Sequence, residues 1–281
     1  MLLKKIAAVA VALGFVAGGV EQASAQDMSS VIESPNVTTC SREFLITIPG
    51  GANTASFLPE KAPVGPKVTP VAQRVHQHTG GTTQPVWITY PAVPFTLMTY
   101  TDSARVGYND ASATMRRLSR MCPDATFSIT GFSEGAGIGA QLINDIAHDR
   151  GPIQKEKFRS AALISNPHLA DNGGHFRAGA TAADKGALET LEGGYGGLGP
   201  RVLDICRPDD PICSLPDEWR RHVDPMLRVA ALRGQVPITE LAAIVAMRSP
   251  TTLPLLMSVY NHGQYGEVSY GEAVNWITAA R

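Results

Sequence analysis

A serine hydroxyl flanked by glycines is the strongest chemical signal in the chain. Residues 131–135 read Gly-Phe-Ser-Glu-Gly, a G-x-S-x-G pattern. They stand directly after a β-rich run, 126–130, and directly before a helical run marked by Ala136, Ala140, Ile143 and Ala147. A nucleophile elbow needs that placement: a tight strand-to-helix turn, with glycines on both sides to relieve the crowding around a strained serine. The helix that follows points the positive end of its dipole at the oxyanion formed when a serine attacks a carbonyl. Gly135, Gly137 and Gly139 keep that helix thin enough to lie close to a sheet. The same stretch also holds Gly135-x-Gly137-x-x-Ala140, one form of the dinucleotide fingerprint. It is set aside because these glycines fall inside the helix and the next strand ends in Asn166-Pro167 instead of an acidic residue.

Ser133 needs a base and an acid, which follow the nucleophile in chain order when the elbow tops a parallel sheet. Asp209 and Asp210 lie in the loop between Cys206 and Cys213, and residue types alone leave the two undecided. His262 lies in Asn261-His262-Gly263-Gln264-Tyr265, a glycine-containing loop before a final helix marked by Ala273, Trp276 and Ile277. Loops at sheet ends are where catalytic side chains are usually carried. The other histidines fit less well. His76, His78 and His148 occupy polar helix faces, His222 a charged helical stretch, and His168 and His175 precede the acid; all read as solvated.

The elements that must position these groups alternate. Strands are expected at 44–48, 86–90, 126–130, 161–165 and 202–205. Helices fall between them, the first marked by Val64, Val68, Val71 and Val75 and the second by Ala104, Ala111, Met115 and Leu118. Such alternation builds βαβ units, hence an α/β fold with a five-stranded, mainly parallel sheet between helical layers. A Gly-rich excursion, 193–199, separates the last two strands, and nothing divides the chain into two domains.

Composition narrows the function. The 281 residues carry 24 Lys and Arg against 25 Asp and Glu, a net charge of −1, which argues against a nucleic-acid partner. Lys4 and Lys5, the apolar stretch 6–20 and Ala23-Ser24-Ala25 have the layout of a signal peptide over 1–25. The apolar stretch is shorter than the roughly 20 residues of a membrane-spanning helix. No cysteine follows the cleavage site, so the exported chain is not read as a lipoprotein. Export makes Cys40, Cys122, Cys206 and Cys213 readable as disulfides. Of three pairings, Cys206 with Cys213 is the natural local one, leaving Cys40 with Cys122. No C-x-x-C spacing favours zinc, and no metal or cofactor is expected.

With these residues in place, the chain resembles the cutinase family of serine esterases, most of all the cutinase-like envelope lipases and thioesterases of mycolic-acid-bearing actinobacteria. The resemblance runs from about Cys40 to the C-terminus. It rests on Tyr90-Pro91-Ala92, Cys122-Pro123, Gly131 to Ala136, Cys206-Arg-Pro-Asp-Asp210-Pro-Ile-Cys213 and His262-x-x-Tyr265. It implies an α/β-hydrolase (cutinase-like) fold, an esterase or lipase acting on acyl (thio)esters, and the same two disulfides. It selects Asp210 over Asp209, because the family's acid lies four residues after one cysteine and three before the next. Ser133, Asp210 and His262 then form the triad, with the backbone N–H groups of Glu134 and Gly51 as oxyanion donors. The chain departs from the family pattern with Glu134 where a Gln is usual and Gly51 where a hydroxyl residue is common. It also places 48 residues, 214–261, between Cys213 and His262. That insertion, within a single domain over 26–281, is expected to form a helical cap. Two alternatives use the same scaffold: an acyltransferase on envelope lipids, and an inactive protein that binds the envelope peripherally.

Overall fold

The computed structural model describes residues 36–92, 100–188, 190–215 and 260–279. The expected signal segment 1–25 and nearly all of the expected cap, 216–259, lie outside the described residues.

The described elements run β1 (Glu43–Ile48), α1 (Thr69–His78), β2 (Thr83–Trp87), α2 (Tyr100–Met121), β3 (Thr126–Phe132), α3 (Glu134–Ala147), β4 (Phe158–Ile164), β5 (His175–Arg177), β6 (Val202–Ile205) and α4 (Glu267–Ala279). The strands form one sheet in the order β2-β1-β3-β4-β6-β5, and all five neighbouring pairs are parallel. A strand's side chains alternate between faces, so each strand feeds two cores. Phe44, Ile46 and Ile48 of β1 pack with Ala111, Met115 and Leu118 of α2 and Ile138, Leu142 and Ile143 of α3. Leu45 points the other way, into a cluster with Val71 and Val75 of α1 and Ala273 and Ile277 of α4. The result is a sheet between two helical layers, as the alternation of elements requires.

Among the described residues the sheet has six strands, not five. The additional one, β5, is three residues long and its two outer residues are exposed, so no apolar run announces it. β2 also starts earlier than its apolar run suggests. It pairs from Thr83, with Pro85 opposite Leu45. Proline lacks the N–H a central strand would use, but β2 is an edge strand, where that loss is tolerated.

Packing around the elbow leaves no room for side chains at its glycines. A Cβ on Gly131 would lie 2.4 Å from Gly135 O, and one on Gly135 would lie 2.1 Å from Ile48 O. Glycine at both positions therefore lets α3 start directly against the ends of β1 and β3. At Gly139 a Cβ would meet Leu163 and Ile129 side chains at 2.9 and 3.2 Å, so the next turn of α3 is close to the sheet as well.

Candidate active site

β3 delivers Ser133 at the carboxyl edge of the sheet. Its N–H donates to Ile164 O at 2.9 Å, and its backbone adopts φ 55° and ψ −121°. A non-glycine residue at positive φ is uncommon and costs on the order of 1 kcal/mol, so the surrounding packing must hold it there. The strain lifts the hydroxyl out of the turn, and Ser133 is half-buried.

Two other segments converge on that hydroxyl. Ser133 Oγ donates to His262 Nε2 at 2.9 Å. On the far side of the ring, His262 Nδ1 lies 3.1 Å from both Asp210 Oδ1 and Asp210 Oδ2. A carboxylate only accepts, so Nδ1 carries the proton and Nε2 is free to take one from Ser133. The three residues are separated by 129 and 52 positions in the chain and form one continuous hydrogen-bonded line.

Asp210 is fully buried. Burial alone would raise its pKa. Hydrogen bonding and attraction from His262, with further donors from Ser165 and the Ile212 N–H, outweigh burial and hold the carboxyl below its ordinary value. The Ile212 N–H reaches Oδ1 at 2.9 Å, and the Tyr265 hydroxyl reaches Oδ2 at 2.7 Å. The loop carrying Asp210 is closed by the Cys206–Cys213 disulfide, and a second disulfide joins Cys40 to Cys122. Asp209 points elsewhere: both its oxygens accept from the Arg207 guanidinium, at 2.9 and 2.7 Å.

His262 is held by contacts that the sequence did not announce. Residues 260–262 are helical, not loop as expected, and the chain turns at Gly263, whose N–H donates to Tyr260 O. Phe132, the variable residue of the serine motif, stacks on the imidazole at a ring separation of 5.0 Å and a 20° tilt. Lys67, from the segment before α1, donates to Gly263 O and Tyr265 O at 2.5 and 3.0 Å. Tyr265 O also accepts from the Tyr270 hydroxyl of α4.

Four other histidines are occupied away from this line. His76 Nδ1 lies 2.8 Å from Thr83 O and His148 Nδ1 2.7 Å from Asn144 O. His175 packs against Trp276. His168 is buried instead of solvated, with Gln141 Nε2 donating to its Nε2 at 3.0 Å. His222 lies outside the described residues. Among the described residues, no three His, Cys, Asp or Glu side chains gather where they could hold a metal ion.

The two expected oxyanion donors sit around the elbow. Glu134 is the first residue of α3, and a helix leaves the N–H groups of its first turn without an acceptor. Gly51 follows Gly50, where a Cβ would lie 2.9 Å from Phe132 Cδ1 and 3.1 Å from Phe132 O. The turn is therefore seated against the residue before Ser133. The Tyr90 hydroxyl fastens it from below by donating to Pro49 O at 2.7 Å.

The Glu134 side chain is a different matter. It is only 1% exposed, and neither carboxyl oxygen has a partner in normal hydrogen-bond geometry. Burial pushes its pKa up to about 7, while the nearby Ser103 hydroxyl draws it down in part. That hydroxyl makes a long contact of its own to Pro91 O at 3.5 Å. The negative charge of Glu134 in turn adds to the burial that raises the Tyr90 and Tyr100 hydroxyl pKa values.

Comparisons with known proteins follow the same outline. The family model described as Cutinase matches residues 55–230. A Corynebacterium glutamicum protein described as a carboxylesterase Culp6 homolog is 29% identical over 157 residues, 49% of this chain and 50% of that protein. The chain thus spans about half the length of that relative. Among solved structures, an acetyl xylan esterase determined as an iodinated complex superposes with a TM-score of 0.56 at 13% identity, covering 86% of this chain and 99% of that one. The catalytic core domain of the Trichoderma reesei acetyl xylan esterase gives 0.50 at 16% identity, covering 69% and 97%. At such identities the two structures bear on the fold alone, and the fold they share is the α/β-hydrolase sandwich described above.

Proposed function

The chain belongs to the cutinase family, and from that premise we propose that it is an exported serine hydrolase that cleaves acyl esters or thioesters of lipid-like substrates through Ser133, His262 and Asp210. The observation that carries the proposal is the unbroken line from Ser133 Oγ through both ring nitrogens of His262 to the buried Asp210 carboxylate.

The chemistry follows from the proton positions. Ser133 Oγ attacks the acyl carbonyl carbon while its proton passes to His262 Nε2, and Asp210 stabilises the imidazolium through Nδ1–H. The carbonyl oxygen becomes an oxyanion that accepts from the Glu134 and Gly51 N–H groups. Removing one such donor lowers a rate by about 10²–10³. Collapse of the tetrahedral intermediate breaks the bond to the leaving alcohol or thiol, which takes the proton from Nε2. Water then repeats the sequence on the acyl-enzyme and releases the acid.

Export is supported by the two disulfides, since such bonds persist in oxidising compartments, and by the signal layout of residues 1–25. On this reading the protein meets its substrate at the cell envelope or beyond, with peripheral contact to envelope lipids.

Hydrolysis of p-nitrophenyl esters from acetyl to long acyl chains, by the wild type and by Ser133→Ala, tests the proposal. Turnover by the wild type that disappears in Ser133→Ala supports it, and the chain-length profile separates an acetyl esterase from a lipase. Equal turnover by both proteins contradicts it. A glycerol or sugar acceptor added to the same assay reveals acyl transfer, if that is the reaction, as a new ester in place of free acid.

A further inference from the structure

Ser165 occupies a position the catalytic line does not explain. It follows β4 directly, and its N–H donates to Ile205 O at 2.9 Å, completing the last pair of the β4–β6 ladder. It is completely buried, and its backbone has φ 56°, the left-handed region where glycine is the unstrained choice. A serine held there, at the carboxyl end of a central strand, calls for a role for its hydroxyl.

The hydroxyl bonds two members of the line described above, and the Tyr265 hydroxyl also lies within its reach. Ser165 Oγ lies 2.5 Å from Asp210 Oδ2 and 3.0 Å from His262 Nδ1. Only one arrangement of protons satisfies both contacts. The carboxylate cannot donate, so the Ser165 proton goes to Asp210. The Nδ1–H then faces Ser165 Oγ as well as the two carboxylate oxygens, at 3.0, 3.1 and 3.1 Å.

Resting on the proposed hydrolase reading, we infer that Ser165 is a positioning residue of the reaction, a hydroxyl that fixes the Asp210 carboxylate and shares the His262 Nδ1 proton with it. With the Tyr265 hydroxyl it donates to Oδ2 while the Ile212 N–H donates to Oδ1, and together these bonds set the rotation of the carboxylate that His262 Nδ1 meets at both oxygens. Donating a short bond to an anion polarises Ser165 Oγ and makes it a better acceptor for the imidazolium as that charge forms. Ser165 is completely buried and acts through the acid and the base.

Two substitutions separate this role from a merely structural one. Ser165→Ala removes the hydroxyl and keeps the strained backbone, whereas Ser165→Gly removes the hydroxyl and relaxes it. With p-nitrophenyl butyrate, both should lose about 10- to 100-fold in kcat, the range for a hydrogen bond to a charged group, with KM within about twofold of wild type. A folded Ser165→Gly protein with wild-type kcat overturns the inference. The hydrolase reading is tested apart from it, by whether the wild type turns over ester and Ser133→Ala does not. Should that reading fail, proton NMR still decides about Ser165. The downfield Nδ1–H resonance of His262, identified by its loss in His262→Gln, must move in both Ser165 variants, and an unmoved resonance overturns the inference.

Discussion

Glu134 stands beside the nucleophile with a buried carboxyl whose oxygens lack a partner in normal hydrogen-bond geometry, and its effect is a matter of linkage. Its pKa in the folded chain is about 7 and its ordinary value 4.5. Between those pH values the native state holds a proton that the unfolded chain has lost, so stability falls as pH rises through this window. The difference amounts to roughly 3 kcal/mol. Urea unfolding at pH 5 and pH 8 should show the wild type losing stability toward pH 8, and Glu134→Gln should be largely free of that loss. Ser133 was legible in the sequence because its signal is local: five adjacent residues and the run on either side. His262 was legible from its place after the last strand, and Asp210 over Asp209 from the resemblance's counts between two cysteines. Ser165, Phe132 and Lys67 carried no such signal. Each acts on a partner distant in sequence, and nothing next to Ser165 betrays a contact 97 positions away. Its place at the C-terminal end of a predicted strand was the available clue, since sites in parallel α/β sheets gather there.

The elements position the site through how closely α3 approaches the sheet, and its glycines do not contribute equally. In Gly135→Ala the new methyl would meet the Ile48 carbonyl at 2.1 Å. That backbone is paired with β3 at Gly131 and cannot withdraw without disturbing the β1–β3 ladder. The expected loss is at least about 3 kcal/mol, or failure to fold. In Gly139→Ala the nearest atoms are the ends of Leu163 and Ile129 side chains, which can shift, and alanine gains about 1 kcal/mol in helix propensity. That variant should stay within about 1 kcal/mol of wild type. Thermal or denaturant melts of the two proteins check the contrast. The order of elements and the sandwich were readable because apolar spacing switches between strand and helix periods along the chain. The strand boundaries were less so. β2 begins in a Thr-Gln-Pro stretch that looks like a turn until its edge position is known, and β5 is too short to have a period.

At the scale of the molecule, the disulfides divide their work by loop length and place. Cys40–Cys122 closes 82 residues and Cys206–Cys213 only 7. In the chain-entropy account the first restricts the unfolded state by about 4.5 kcal/mol and the second by about 2.4 kcal/mol. The shorter loop, however, carries Asp210. Replacing Cys206 and Cys213 by serine should therefore lower esterase activity more than stability, and replacing Cys40 and Cys122 should do the reverse, as melts and initial rates on one set of samples will show. What only the whole fold supplies is the meeting of Ser133 with a histidine 129 residues away and, through it, with Asp210. That meeting has a direct test. Folded wild-type protein treated with diethyl p-nitrophenyl phosphate should gain one diethylphosphoryl group, with the added mass on the peptide containing Ser133, while Ser133→Ala gains none and His262→Gln reacts far more slowly. A folded wild type that stays unmodified, or that carries the group on another residue, contradicts the account.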